Sequence, residues 1–414
     1  MAKRTILHCD INNFYASVEC VVNPALTKFP VAVAGNPRTR HGIILAKNQV
    51  AKQLGIKTGQ VIWEAKQLCP NLICLPPQMQ LYKTYSEKVI EIYKRFTDKI
   101  ESFGPDECWL DVTHSISLFG SGVFIANKLR EMVRKETGLT ISVGVSFNKF
   151  FAKLGSDMKK PDAMTEINEQ NFKQKIWSMP PNVLIFIGRK TFIKLQKLNI
   201  NTIGELAQAN EKLLVKHFGI IGSKMRTIAL GEDETEVGDI NNVELVKSVG
   251  NGFTTIRDIH NLDEIEASIY TLAEKVAYRM RKINVAGKTI HLGIKDTDLH
   301  WTGHSQTIQT PTNTAIEIAE YALNILKTYW DITKLFNVRS IRVSVCSLCN
   351  GDNTLQLSFF ENTQINKIKK LNSTLDKIRD KYGYYSVRSA KTIDRDFINY
   401  FETAKEEIEE DDED

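Results

Sequence analysis

Residues 5–19 read TILHCDINNFYASVE, a β-branched, alternating run that closes on a carboxylate. Apolar side chains at alternate positions predict a strand over Thr5–Asp10, with Asp10 at its end immediately before INNFYASVE. The same pattern marks strands at Pro30–Ala34, Ile100–Phe103, Glu107–Val112 and Leu139–Val145. Met79–Thr97 and Val123–Thr137 predict helices, the second carrying Ile125, Leu129, Met132 and Val133 at helical spacing. Strands and helices alternate while strand pairs meet at tight turns. Residues 1–165 are therefore expected to form an α+β sheet domain with strands drawn from both of its ends.

The chain has 414 residues, enough for two to four domains at roughly 100–200 residues each. From Phe172 to about Glu236 the pattern turns to helices with Gly-containing turns, followed by a charged linker, GEDETEVGDINNVELVKS. Residues Val246–Leu348 then read strand, helix, strand, strand, helix, strand, a second α+β unit. Asn366–Asp380 predicts a basic amphipathic helix with Ile368, Leu371, Leu375 and Ile378 on one face.

Composition narrows the function classes. With 42% hydrophobic and 25% charged residues the chain is an ordinary globular one, which excludes wholesale disorder and fibrous folds. No apolar run approaches the ~18 residues that span a bilayer, and MAKRTILHCD lacks the apolar core of a secretory signal. Seven scattered cysteines make no disulfide framework and fit a reducing cytoplasm. The net charge of +5 conceals an asymmetry: residues 402–414 hold nine acids and one lysine, leaving 53 basic against 40 acidic side chains elsewhere. A body that basic suits a polyanionic partner, nucleic acid above all, while the tail itself reads as a solvated end.

Three acids stand out by position. Asp10 ends the first strand, and Asp106 with Glu107 follows the turn Phe103-Gly104-Pro105 into ECWLDV. If both strands share a sheet, their carboxylates converge, as hard divalent cations require. Two ions about 3.5–4 Å apart can hold an attacking and a leaving oxygen in line. Acids at strand ends taken singly are usually solvated caps.

Three motifs in order turn that arrangement into a family resemblance. Asp10-Ile11-Asn12-Asn13-Phe14-Tyr15-Ala16-Ser17-Val18-Glu19 resembles the first motif of the Y-family (translesion) DNA polymerases. Ser102-Phe103-Gly104-Pro105-Asp106-Glu107-Cys108-Trp109-Leu110-Asp111 resembles the family's S-x-D-E-x-[YFW]-L-D, with one extra residue before Asp106. Residues 142–161, from SVGVSFNK through FAKLGSD to Lys160-Pro161, resemble its GVSxNKxxAKxxSDxxKP stretch. The resemblance runs from Thr5 to about Tyr385.

It implies a right-hand polymerase of α+β multidomain class. A ferredoxin-like palm would take 1–13 and 79–171 and small fingers 14–78. A helical thumb with a helix-hairpin-helix would take 172–236, a linker 237–245 and an α+β little finger 246–350. A C-terminal region, 351–414, would carry a clamp-binding-like motif, the basic helix and the acidic tail. It further implies Mg²⁺, two ions, held by the carboxylates of Asp10, Asp106 and Glu107 and by the Ile11 carbonyl. The activity implied is low-fidelity, template-directed DNA synthesis past damage in the SOS response. Lys160 matches the lysine on the incoming triphosphate. Tyr15 matches the steric gate against ribose, with Phe14 under the sugar. Phosphoryl transfer asks mainly for positioning and charge neutralisation, which such residues supply.

The match departs at the finger helix, where the family's N-Y-x-A-R reads Asn48-Gln49-Val50-Ala51-Lys52. Gln49 can still donate to a phosphate, and Lys52 keeps charge but not the bidentate guanidinium. Lysine there resembles the UmuC-like SOS branch more than the DinB-like one. For DNA, Val183–Leu206 resembles a helix-hairpin-helix, with Gly188, Arg189 and Lys190 toward a phosphate and Phe186 where a glycine is usual. Gly219, Gly222 and Lys224 repeat that logic, and Ser248–Thr255 resembles the opening strand of the little finger. Of the basic residues beyond it (Arg257, Arg279, Arg281, Lys282, Lys288), some are expected on DNA phosphates. Gln356-Leu357-Ser358-Phe359-Phe360 resembles the pentapeptide by which bacterial polymerases dock into the sliding clamp, Gln356, Leu357, Phe359 and Phe360 being the contacts. The expected partners are thus primer–template DNA, deoxynucleoside triphosphates and the clamp, with a monomeric polymerase subunit. A catalytically inactive DNA- and clamp-binding protein and a nucleotidyl cyclase are the rival readings.

Overall fold

The strand expected at Thr5–Asp10 forms as β1, Ile6–Ile11, in the computed structural model, which describes residues 4–36, 42–240, 245–331, 337–351 and 363–390. The chain divides into two compact units, Met1–Ala34 with Ile44–Val243 in the first and the remainder, chiefly the chain beyond it, in the second.

In the first unit β1 is followed by helix α1 (Phe14–Val22), strands β2 (Val31–Ala34) and β3 (Ile44–Lys47), helices α2 (Gln49–Gln53) and α3 (Ile62–Leu68), and β4 (Ile73–Leu75). Then come α4 (Met79–Tyr93), β5 (Ile100–Ser102), β6 (Glu107–Asp111), α5 (Gly122–Thr137), β7 (Ile141–Ser146), α6 (Lys149–Met158) and β8 (Met164–Ile167). Five strands make one sheet in the order β5-β6-β1-β7-β8, so β1 is central rather than at an edge. The expected strand at Pro30–Ala34 is not part of it: β2 joins β3 and β4 in a separate sheet ordered β3-β2-β4. The reading along the chain missed β3 and β4, which are four and three residues long and carry too little periodicity to register.

Side-chain alternation decides what β1 faces. Leu7, Cys9 and Ile11 pack with Tyr82, Val89, Ile92 and Tyr93 of α4 and Ile125, Leu129 and Val133 of α5. Ile6, His8 and Asp10 point to the other face, where Ile6 packs with Trp109 and with Ala152 of α6. β6 runs antiparallel in the register His8↔Trp109 and Asp10↔Glu107, so both acids emerge on that second face.

Helix α6 lies flush against the same face because two glycines let it. A Cβ on Gly144 of β7 would overlap the Ala152 carbonyl and the Ser156 nitrogen, and one on Gly155 would come 3.1 Å from the Gly144 Cα. Asn148 starts the helix, its side chain accepting from the Phe151 N–H at 2.8 Å. A Gly144→Ala variant should therefore lose about 3 kcal/mol of stability, because backbone cannot yield as a side-chain end can. Urea unfolding followed by circular dichroism would measure it, and a loss below about 0.5 kcal/mol would refute the packing argument.

Helices α7 (Arg189–Gln196), α8 (Ile203–Gln208), α9 (Glu211–Phe218) and α10 (Ile220–Leu230) complete this unit around Leu184, Ile187, Leu195, Ile203, Leu206 and Leu214. The expected linker begins as a packed strap: Val237 is buried beside Ile6, Trp109 and Ala152, and the Gly238 N–H donates to Glu101 Oε2 at 2.7 Å.

The second unit forms in the expected order: β9 (Ser248–Ile259), α11 (Leu262–Lys282), β10 (Val285–Asp296), β11 (Trp301–Thr312), α12 (Ala315–Tyr329) and β12 (Val338–Asn350). Its antiparallel sheet runs β11-β10-β12-β9, and α11 and α12 bury Ile269, Leu272, Val276, Leu323 and Leu326 over it. Helix α13 (Thr363–Tyr382) forms over the stretch read as amphipathic. Arg379 is 6% exposed and pairs with Glu274 at 3.0 Å, Asp376 pairs with Arg281 at 2.6 Å and Asp380 with Lys282 at 2.7 Å. On the expected apolar face Leu371 is 58% exposed, while Leu375 and Ile378 are half-buried. Of the five basic residues among which some were expected on DNA, Arg281 and Lys282 are engaged in these pairs and Arg257 pairs with Glu264. No helix among the described residues is long and apolar enough to cross a membrane.

Candidate active site

A cavity of about 440 Å³ opens where β1 and β6 end. Its lining includes Asp10, Ile11, Phe14, Tyr15, Gln49, Lys52, Asp106, Glu107 and Lys160, so it gathers every residue expected at the metal and nucleotide from four separate stretches of chain. Asp10 and Glu107 are cross-strand partners, and the Ile11 N–H donates to the Asp106 carbonyl at 2.9 Å, which ties the acid-bearing turn to the end of β1.

Two lysines lie on the acids. Lys160 Nζ is 2.7 Å from Asp10 Oδ2, and Lys153 Nζ is 2.9 Å from Glu107 Oε1 and 3.4 Å from Asp10 Oδ2. Asp157, one turn beyond Lys153, holds both ammoniums at 2.9–3.2 Å. Behind Glu107 stands the buried His8, with Nε2 3.4 Å from Oε2 and Nδ1 2.8 Å from Ser156 Oγ. His8, Lys153 and Asp157 were not foreseen as site residues. Lys153 and Asp157 stood inside a quoted motif, and the parity of His8 with Asp10 was the signal that could have found it.

Burial pushes Asp10 up to about 6, against the pull of Lys160 and Lys153. Asp106 is raised as well, by burial and then by the Glu107 charge. Glu107 is also penalised by burial, but the adjacent His8 ring and the Lys153 ammonium outweigh it and hold it at about 2. Three carboxylates share one cleft, and two ammoniums do not fully offset burial of Asp10. Such a donor set favours additional positive charge, and its oxygen-only chemistry suits a hard divalent cation.

On the nucleotide side, the Tyr15 ring stacks on Tyr82 at 4.3 Å and 14°, and Tyr82 donates its hydroxyl to Glu19 at 2.5 Å. Phe14 is buried beside them, 5.3 Å from Tyr15. Asn48 caps α2, accepting from the Ala51 N–H at 2.9 Å and donating to the Phe29 carbonyl at 2.8 Å, so Gln49 and Lys52 are carried on an anchored turn. Gln49 Oε1 is buried without a hydrogen-bond partner.

The hairpin residues divide. Gly188, Arg189 and Lys190 are exposed at the start of α7, and Gly188 has open space where a Cβ would go. Phe186 takes φ +72° and is 69% exposed, a left-handed conformation that costs a non-glycine residue about 1 kcal/mol. Gly219 turns α9 into α10 at φ +64° and Lys224 is exposed. Gly222 does not face outward: it is buried, and a Cβ there would overlap the Leu214 carbonyl, so close approach of α9 and α10 explains it. Gln356, Leu357, Phe359 and Phe360 lie outside the described residues, as does the acidic tail.

Residues 9–157 match the impB/mucB/samB family, and residues 246–359 match the impB/mucB/samB family C-terminal domain. DNA polymerase IV of Acetivibrio thermocellus is 45% identical over 388 residues, covering 93% of this chain and 96% of the relative. The chain belongs to the Y-family of DNA polymerases. DNA polymerase IV of Moorella thermoacetica is 36% identical, with 94% and 96% covered. The solved Y-family DNA polymerase chimera Dbh-Dpo4(243-245)-Dbh superposes with a TM-score of 0.73 over 84% of this chain and 99% of that one; at 23% identity it speaks for the fold alone. The Y-family polymerase is thus a translesion DNA-directed DNA polymerase, and the reading as an inactive accessory protein is not favoured. Enzymes of this family use a divalent metal. The expectation that Lys52 places the polymerase nearer the UmuC-like branch is not supported: the relatives compared carry the name DNA polymerase IV.

Proposed function

We propose that this polymerase extends a primer 3′-hydroxyl at the cavity where β1 ends and β6 begins, with low fidelity and opposite damaged template bases. The observation that carries the reading is the convergence of Asp10, Asp106 and Glu107 with Tyr15, Gln49, Lys52 and Lys160 around one cleft. Two Mg²⁺ ions would be held by the three carboxylates and the Ile11 carbonyl, and when bound they would neutralise the triphosphate and align the reacting oxygens. Lys160, Lys52 and Gln49 bind the phosphates, and Lys153 keeps Glu107 ionised and fixed. Tyr15, backed by Tyr82, closes the sugar side, and Phe14 supports it from below.

The partition into palm (1–13 and 79–171), fingers (14–78), thumb (172–236), linker (237–245), little finger (246–350) and C-terminal region (351–414) belongs to the same proposal. Gly188, Arg189, Lys190, Gly219 and Lys224 hold DNA phosphates through backbone N–H groups and charge, so binding should weaken steeply with salt. Gln356, Leu357, Phe359 and Phe360 dock a monomeric polymerase on the sliding clamp in the cytoplasm.

Primer extension with Mg²⁺ on undamaged and abasic templates tests the reading. Extension of both, with misinsertion frequent opposite normal bases, is expected. Tight primer–template binding with no extension of either would overturn it.

A further inference from the structure

Lys47 and Thr58 line the same cavity, and neither belongs to the motifs that carry the nucleotide reading. On β3, Ile44 is buried in the small sheet's core and Ala46 against the core under β1, and Leu45, Ala46 and Lys47 line the cavity. The loop that follows α2 is fastened to this strand: the Gly59 N–H donates to the Ile44 carbonyl at 2.7 Å, and the Ile44 N–H to the Gln60 carbonyl at 2.8 Å. That fastening brings Thr58 to Lys47, whose Nζ donates to Thr58 Oγ1 at 2.8 Å.

An ammonium has three donors, and Thr58 takes one. Among the described residues no carboxylate pairs with Lys47, whereas Lys153 lies on three acids and Lys160 on two. Lys47, Lys52 and Lys160 all line this cavity, and burial, then the charges of the other two, push the Lys47 pKa down. An anion of several charges relieves that repulsion.

We infer that Lys47, oriented by Thr58, is a further binding residue for the polyphosphate of the incoming nucleotide, supplying charge where Lys52 stands in place of a guanidinium. The inference rests on the nucleotide reading of this cavity. Lys47 acts in binding, with three positive charges spread around the phosphates instead of a single bidentate fork.

Steady-state incorporation by wild type, Lys47→Ala, Lys47→Arg and Thr58→Val tests it, together with primer–template affinity and inhibition by inorganic tripolyphosphate. Lys47→Ala should raise the deoxynucleotide KM by about tenfold to a hundredfold, as expected for loss of a charge-assisted hydrogen bond. Its kcat should move far less, its DNA affinity should not move, and tripolyphosphate inhibition should weaken in step with KM. Lys47→Arg should recover most of the loss and Thr58→Val should show a smaller one. An unchanged KM overturns the inference, as does a loss confined to kcat or to DNA affinity. If the wild type never extends a primer, the polymerase reading falls instead. Tripolyphosphate binding to wild type against Lys47→Ala then decides the inference alone, and equal binding overturns it.

Discussion

Primer extension by Asp106→Ala is expected to fall at least about a thousandfold in kcat/KM, the scale of losing one preorganised charge-stabilising group at the reacting phosphate. The affinity for primer–template should stay unchanged, since none of the residues proposed to hold DNA phosphates is in the described lining of the Asp106 cavity. Asp106 is the cleaner probe among the three acids, because Asp10 and Glu107 also anchor Lys160 and Lys153. Its carboxylate already bears a burial penalty, so removing it should not lower the unfolding midpoint. Single-turnover extension and fluorescence anisotropy on the same primer–template measure the two quantities. A variant that keeps a tenth of wild-type activity would remove Asp106 from the reacting centre.

The second large effect concerns the sugar. Tyr15→Ala is expected to raise the use of ribonucleotides relative to deoxynucleotides by about a hundredfold, the range over which shape in a pocket discriminates. The ring cannot swing aside easily: it stacks on Tyr82 at 4.3 Å, Phe14 packs beside it, and Glu19 holds the Tyr82 hydroxyl. Separate reactions with each nucleotide type, scored as the ratio of kcat/KM values, provide the measurement. A ratio within about twofold of wild type would mean the ring serves packing alone.

Both predictions start from residues legible in the chain, and the reason is geometric. A strand alternates with a period of two, so the cross-strand register that aligns Asp10 with Glu107 also sets both on one face. The motifs at Asp10, Asp106 and Lys160 could be read without coordinates because each is local. The second unit was legible for the same reason, its strands of 12–13 residues and helices of 15 and 21 being long enough to show their periods.

Other features escaped because they depend on contacts between distant segments. Lys47 sits on a four-residue strand, and only the loop fastened to that strand brings Thr58 to it. Gly222 looked like an exposed turn residue, whereas the approach of two helices makes it a packing residue. Arg379 lies in a helix whose sequence advertises an apolar face, yet it is buried and paired with Glu274, while Asp376 and Asp380 pair with Arg281 and Lys282. His8 was read as a strand residue, and only the folded sheet puts it behind Glu107.

The sequence by itself determined the family, the alternation that sends Asp10 and Glu107 to one face, and the order of elements in the second unit, since each follows from local motifs or periods. Tertiary structure alone decided which lysines neutralise which acids, which glycines serve packing and which serve turns, and that Lys47 meets Thr58 at the cavity. Those outcomes rest on distances between residues far apart in the chain, and a distance across the fold has no local signature.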